Sequence, residues 1–244
     1  MKPGLVVSCE HGGNTVPAAY AYLFRGCEQL LQSHRGFDAG ALELARELAA
    51  RCRAPLRFST VSRLLVDLNR SIGSRSLFSE ITRKADRAEQ SAIVERFYMP
   101  FRQKVLTALR DGLRRYQPVV HLSVHTFTPV LAGVERRADV GLLYDPRRRL
   151  ERAFCRRWRS ALRAEARGLT VRMNYPYRGR ADGLTTYLRT LFAPEAYLGI
   201  ELEVNQKFVL AEPDRWPSVK RAVVDSLTSV LADLPAWRNE ETTA

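Results

Sequence analysis

The sequence of 244 residues contains no long apolar run and no closely paired cysteines. Its apolar stretches, such as residues 119–124, are far shorter than the ~20 residues that a membrane-spanning helix needs. The amino terminus has too short an apolar run for a secretion signal and lacks a small-residue cleavage site. The cysteines form no Cys-x-x-Cys pair, which argues against a zinc cluster or a disulfide framework. We therefore expect a soluble cytoplasmic protein with reduced thiols and no membrane partner.

Lysine is also scarce, so the formal net charge of +13 comes almost entirely from arginine. An excess of positive charge is common in nucleic-acid-binding proteins. Here the arginines are spread over the chain, and the densest clusters, residues 147–152 and 156–163, fall on one predicted helix with Phe154 and Trp158 on its apolar side. We interpret them as a solvated helix face and predict no specific nucleic-acid partner. The positive charge would still help to attract a small dianionic substrate.

Segments rich in β-branched residues alternate with longer helical patterns along the chain. The predicted strands are residues 5–9, 56–61, 119–124, 140–144, 171–174 and 198–204, and the predicted helices are residues 39–51, 87–116, 147–167, 184–192 and 217–231. This alternation predicts an α/β fold around a mixed, mostly parallel sheet, whose ligands bind beyond the carboxyl ends of the strands. Because no repeat, low-complexity tract or Gly/Ser-rich linker divides the chain, we expect one domain over residues 1–244.

Two histidines follow predicted strands. His11 leaves the first strand and enters a Gly-Gly turn, and His125 follows the strand of residues 119–124. Strand alternation places His121, Ser123 and His125 on one face, so His121 remains a nearby polar candidate. Two imidazoles with one carboxylate and an open fourth position are typical of a catalytic zinc site.

The carboxylate of such a site must come from elsewhere in the chain. Asp38 stands at the start of a predicted helix, where its local sequence favours an ordinary N-cap. In the strand of residues 198–204, alternation places Glu201, Glu203 and Asn205 on one face. Two glutamates on one face of an internal strand are costly unless they are paired, metal-bound or exposed in a cleft, so one of them is a candidate general base. A half-exposed edge strand is the alternative interpretation.

The segment of residues 62–70 shows a similar alternation, with Arg63, Asp67 and Asn69 sharing one parity. Arginine suits the bidentate capture of carboxylates, and a neighbouring aspartate can hold its guanidinium in place. A structural Arg–Asp pair is the alternative.

Taken together, these segments resemble the N-formylglutamate amidohydrolase family, particularly its shorter bacterial members. The matching stretches span nearly the whole chain in family order and comprise residues 10–17, 34–40, 61–70, 125–129, 139–145, 174–179 and 201–205. The family is similar in fold to the zinc-dependent exopeptidases. The resemblance therefore implies a three-layer α/β/α fold with a mixed sheet and one zinc ion per chain.

The resemblance also implies roles for individual residues. His11, Asp38 and His125 become zinc ligands, with His34 or Glu10 as alternatives to Asp38, and Glu203 becomes the general base. The implied substrate-binding residues are Arg63, Asp67, Asn69, Arg70, Arg178 and Asn205. The arginines would grip the substrate carboxylates, and the asparagines would orient the substrate.

The implied reaction is zinc-dependent hydrolysis of the amide bond of an N-acyl acidic amino acid. N-formyl-L-glutamate, which would yield formate and L-glutamate, is the expected substrate, and thus the expected partner is a small anionic amino-acid derivative. The alternatives are a zinc carboxypeptidase or cell-wall-type amidase on the same scaffold, or a binding relative without catalytic activity. The oligomeric state stays open.

Overall fold

A computed structural model describes the backbone of residues 4–243 and the side chains of residues 4–234. Its strands are β1 (Gly4–Cys9), β2 (Leu56–Phe58), β3 (Val119–Phe127), β4 (Val130–Leu131), β5 (Val134–Glu135), β6 (Val140–Leu143), β7 (Val171–Met173) and β8 (Tyr197–Asn205). Six of them form one sheet in the order β2–β1–β3–β8–β6–β7, and β4 pairs with β5 in a separate hairpin. Neighbouring strands of the sheet are parallel except for β6, which runs antiparallel to β8. The predicted mixed, mostly parallel sheet is confirmed.

The α-helices are α1 (Glu28–Gln32), α2 (Ala41–Cys52), α3 (Arg87–Ile93), α4 (Met99–Leu113), α5 (Arg149–Glu165), α6 (Leu184–Leu191), α7 (Lys207–Leu210) and α8 (Trp216–Thr243). Short 3₁₀ turns occupy Ala18–Phe24, Thr82–Lys84 and Pro213–Arg215, and a π turn occupies Val94–Tyr98. Within the described chain, no helix combines the length and the apolar character needed to cross a membrane.

Helices cover both faces of the sheet. Helices α2, α5 and α8 pack on one face, where Val7 and Leu122 of the strands meet the buried Trp158 of α5. Helices α4 and α6 lie on the other face, where the alternating residue Val6 joins Leu109 in a second core. Successive strand residues therefore enter opposite cores, as the period of two requires. The three-layer α/β/α fold is confirmed.

Two element boundaries differ from the prediction in ways that have physical causes. The predicted helix of residues 87–116 is divided by the π turn, which ends two residues before Pro100 near the start of α4. Proline lacks an N–H group and cannot continue the regular hydrogen-bond pattern, so the backbone changes its winding there. Strand β3 extends to Phe127 because residues 125–127 still pair with β8. His125 therefore lies within a strand and not after one.

Candidate active site

The polar residues singled out from the sequence meet at the carboxyl ends of β1, β3 and β8. His125 of β3 lies beside Glu203 of β8 in the sheet register, and Ser123 lies beside Glu201. His11 follows two residues after the end of β1. Because β8 is flanked by β3 and β6, the alternative of a half-exposed edge strand is wrong.

The structure brings His11, Asp38 and His125 together in one buried cluster, which we call the His–Asp–His cluster. The Asp38 Oδ2 atom lies 2.8 Å from His125 Nδ1 and 3.4 Å from His11 Nδ1. One donor atom from each of the three residues falls within 4.8 Å of the other two. Such a spacing of two imidazoles and a carboxylate is compatible with a shared metal ion.

Each histidine of the cluster has a further partner on its other nitrogen. His11 Nε2 lies 2.7 Å from Asp67 Oδ1. His125 Nε2 lies 2.8 Å from Ser123 Oγ and 3.1 Å from Glu10 Oε2, and the Ser123 hydroxyl donates to the same Glu10 oxygen. Carboxylates that accept from the outer N–H of an imidazole orient metal-binding histidines, since they direct the inner nitrogen at the ion. Both Nδ1 atoms here face Asp38.

The electrostatics of this cluster favour charged carboxylates despite deep burial. Burial opposes ionisation of Glu10, but hydrogen bonds from His125 and Ser123 lower its pKa to about 2. Burial likewise opposes ionisation of Asp38, and the charge and hydrogen bonds of His11 and His125 hold its pKa well below its ordinary value. In return, hydrogen bonds to Asp38 and Glu10 outweigh burial and raise the pKa of His125. The electrostatics of the cluster thus favour a positive charge beside Asp38 and Glu10.

Glu203 behaves differently from these carboxylates. Burial, helped by the negative charges of Asp38 and Glu201, raises its pKa to about 8. Its Oε2 atom is buried and has no hydrogen-bond partner among the described residues. A carboxyl group with a free oxygen and a pKa near neutrality, beside a histidine cluster, is typical of a general acid–base residue.

Asp38 is not the helix cap that its local sequence favoured. The N-cap of α2 is Gly40, which adopts a left-handed conformation with φ of 81° and leaves no room for a side chain beside Val209. The Asp38 amide donates to the His11 carbonyl, and its carboxylate turns towards the two histidines and Arg63. Tertiary contacts therefore override the cap interpretation.

The segment of residues 63–70 borders the cluster. Arg63 Nη2 lies 2.8 Å from Asp67 Oδ2, and its Nη1 lies 3.4 Å from Asp38 Oδ1. The Arg–Asp pair therefore exists, but 26% of the Arg63 side chain remains exposed and reachable by a ligand. Arg70 lies 3.8 Å from Asp67 and donates to the Asp182 carbonyl. Asn69 accepts from the Leu184 amide at 2.7 Å and so holds the start of α6.

Arg178 and Asn205 lie outside the cluster. The exposed Arg178 side chain lines a surface cavity with Pro146 and Arg180 and contacts no cluster residue. Asn205 is buried and donates both amide hydrogens to the backbone carbonyls of Arg136 and Ala138. These contacts favour a structural role for Asn205 over the substrate-orienting role that the resemblance implied.

The two alternative third ligands also have defined places. Glu10 contacts the outer nitrogen, Nε2, of His125. His34 is exposed and makes no contact with the cluster. His121 lies deeper, between Ser8 and the Tyr197 hydroxyl at 2.8 Å each, and burial lowers its pKa to about 4. Sequence alternation had indicated Ser123 on the active face but gave it no function.

Comparison with known proteins identifies the chain. The family model described as N-formylglutamate amidohydrolase matches residues 4–210. The chain belongs to this family. Among curated proteins no match was found.

Two solved structures are similar over nearly their full length. A gene product of Agrobacterium tumefaciens is 29% identical, with a TM-score of 0.78 over 96% of this chain and 92% of that chain. N-formylglutamate amidohydrolase from Ralstonia eutropha JMP134 is 19% identical, with a TM-score of 0.71 over 94% of this chain and 93% of that chain, and at this identity supports the fold alone. Membership of the N-formylglutamate amidohydrolase family supports an enzyme that hydrolyses the amide bond of a small substrate.

Proposed function

We propose that this chain hydrolyses N-formyl-L-glutamate to formate and L-glutamate and that it uses one zinc ion held by His11, Asp38 and His125. The observation that carries the proposal is the His–Asp–His cluster with a carboxylate behind each imidazole. Family membership supports the reaction class. Two nitrogens and one carboxylate oxygen favour zinc over magnesium or calcium, which prefer oxygen ligands alone.

The residues present fit a bound cation. Deep burial of the ionised Asp38 and Glu10 is costly unless positive charge compensates it, and a buried Glu10 oxygen has no partner among the described residues. When bound, zinc would lower the pKa of a water molecule and polarise the formyl carbonyl.

Glu203 has the position and chemistry of the general base in this proposal. It would take a proton from the water that attacks the formyl carbon and deliver a proton to the amine as the carbon–nitrogen bond breaks. The water oxygen stays on the formyl carbon, so the products are formate and glutamate. The Oε2 atom, which has no partner in the described part of the chain, is the group available for this transfer.

Arg63 is the candidate for binding a substrate carboxylate next to the cluster. Its guanidinium is partly exposed, and Asp67 fixes its orientation. A guanidinium held in this way can form two parallel hydrogen bonds with a carboxylate.

Metal analysis of the purified protein and two matched variants tests the metal assignment. We expect about one zinc per wild-type chain and its loss in His125→Ala, because an Nδ1 ligand is removed. His34→Ala, which removes an exposed histidine outside the cluster, should retain the metal. Full zinc occupancy in His125→Ala would contradict the ligand assignment, and zinc-loaded wild-type protein that releases no formate from N-formylglutamate would contradict the substrate.

A further inference from the structure

Arg136 is a buried cation at the edge of the active site to which the sequence assigned no function. It follows β5 in the connection between β3 and β6, and only 8% of the residue is exposed. Its guanidinium lies over the Phe127 ring at 6.0 Å and the Tyr177 ring at 5.0 Å. Its amide donates to the Pro129 carbonyl, and its carbonyl accepts from Asn205. Both backbone and side chain are therefore held in place.

This guanidinium has no acidic partner among the described residues. Its Nη1 donates to the Tyr177 hydroxyl at 3.0 Å, and no described carboxylate forms an ion pair with it. The comparably buried Arg189, in contrast, pairs with Glu151 at 3.0 Å. Nε and Nη2 of Arg136 make no hydrogen bond within the described part of the chain. A buried cation with free donors and without an anion is costly unless a ligand supplies the anion.

Arg136 lies at the strand ends that carry His125 and Glu203. Phe127, on which Arg136 rests, lies two residues beyond His125 on β3. Asn205, which donates to the Arg136 carbonyl, lies two residues beyond Glu203 on β8. Residues two apart on a strand share one face. Arg136 is therefore at the same end of these strands as the cluster, which Arg63 contacts through Asp38.

We infer that Arg136 binds the side-chain carboxylate of the acidic substrate and thereby determines its specificity, an assignment that rests on the proposed function. Arg63 contacts the cluster through Asp38, whereas Arg136 contacts no cluster residue. In an N-acyl glutamate the α-carboxylate lies next to the scissile amide, and the side-chain carboxylate lies further away. The nearer guanidinium thus fits the α-carboxylate, and the more distant one fits the side chain.

Substrates that differ only in the side-chain charge test this assignment. We expect Arg136→Met to lower kcat/KM for N-formylglutamate by roughly 10- to 100-fold, because a charged hydrogen bond is lost. The value for N-formylglutamine should stay nearly unchanged, so the preference for the acidic substrate collapses. Arg137→Met is the matched control, since it removes the same charge from a neighbouring side chain that is 79% exposed and pairs with Glu135. It should leave the preference intact.

An equal loss for both substrates would overturn the inference and make Arg136 a structural residue. Calorimetric binding of glutarate and its half-amide needs no turnover and separates this inference from the proposed reaction. If the wild-type protein releases no formate, the proposed reaction is refuted. Loss of glutarate binding in Arg136→Met would still support the anion site. Equal glutarate binding by the wild type and Arg136→Met would overturn the inference. Arg136→Gln, which also removes the charge but keeps a polar side chain, provides the same comparisons if the methionine variant melts at a much lower temperature.

Discussion

Replacing Glu203 with glutamine separates its catalytic role from its effect on stability. Glutamine keeps the shape of the side chain but cannot accept a proton from water. If Glu203 is the general base, kcat should fall by roughly 10²–10⁴ while zinc stays bound. The same substitution should make the metal-free protein more stable, because burial disfavours the ionised carboxyl group of Glu203 and glutamine cannot ionise.

The size of this gain follows from the pKa of Glu203, which rises from an ordinary 4.5 to about 8 in the folded chain. A raised carboxyl pKa means that the folded state holds a proton that the unfolded state has lost, so this group destabilises the fold increasingly between pH 4.5 and pH 8. At about 1.4 kcal/mol per pH unit, the cost at pH 7 is about 3 kcal/mol. Glu203→Gln removes this cost, and below pH 4.5 the gain should vanish.

Two measurements check these predictions. Urea unfolding of chelator-treated protein at pH 4.5 and pH 7 measures the gain in stability, and formate release by zinc-loaded protein measures the loss of kcat. Glu201→Gln is the matched control, because Glu201 lies on the same strand face but accepts a hydrogen bond from Thr185 that glutamine can preserve. It should change stability and kcat far less. A dead Glu201→Gln with an active Glu203→Gln would move the chemistry to Glu201, and two active variants would exclude this strand from catalysis.

Two further substitutions test substrate binding and packing. Arg63→Lys should raise KM for N-formylglutamate by about tenfold, more than it lowers kcat, because an ammonium cannot make the bidentate contact. An unchanged KM in steady-state kinetics would leave Arg63 as a structural partner of Asp38. Gly141→Ala should destabilise the fold by about 1–3 kcal/mol in thermal or urea unfolding, since the added carbon would meet the Tyr175 carbonyl oxygen. Gly168→Ala, where nothing lies within 4 Å, should stay within about 0.5 kcal/mol of wild type, and similar losses in both variants would refute the steric explanation.

Strand alternation explains why so much of this site could be predicted. The period of two fixes which side chains share a face, so the sequence places Ser123 with His125 on one strand and Glu201 with Glu203 on another. The register that sets His125 beside Glu203 depends on which strands are neighbours. That information is tertiary and came only with the structure.

Residues on loops were harder to assign because no periodicity constrains them. Asp38 has the local sequence of a helix cap, and its contacts with two distant histidines decide otherwise. Arg136 follows a short hairpin and carries no motif, so only its burial and its position beside Phe127 and Asn205 at the strand ends distinguish it. Asn205 shared a face with the glutamates, yet the loop it holds uses both its amide hydrogens.

The distribution of charge connects these observations. A chain with a net charge of +13 nevertheless gathers Glu10, Asp38, Asp67 and Glu203 in one buried region. Arg63 compensates part of this negative charge through its contacts with Asp38 and Asp67. Glu10 and Glu203 each retain a buried oxygen without a partner among the described residues. Since buried carboxylates are costly unless a cation balances them, this region has the electrostatics of a site for a metal ion, while the guanidinium of Arg136 offers the opposite charge to an acidic substrate.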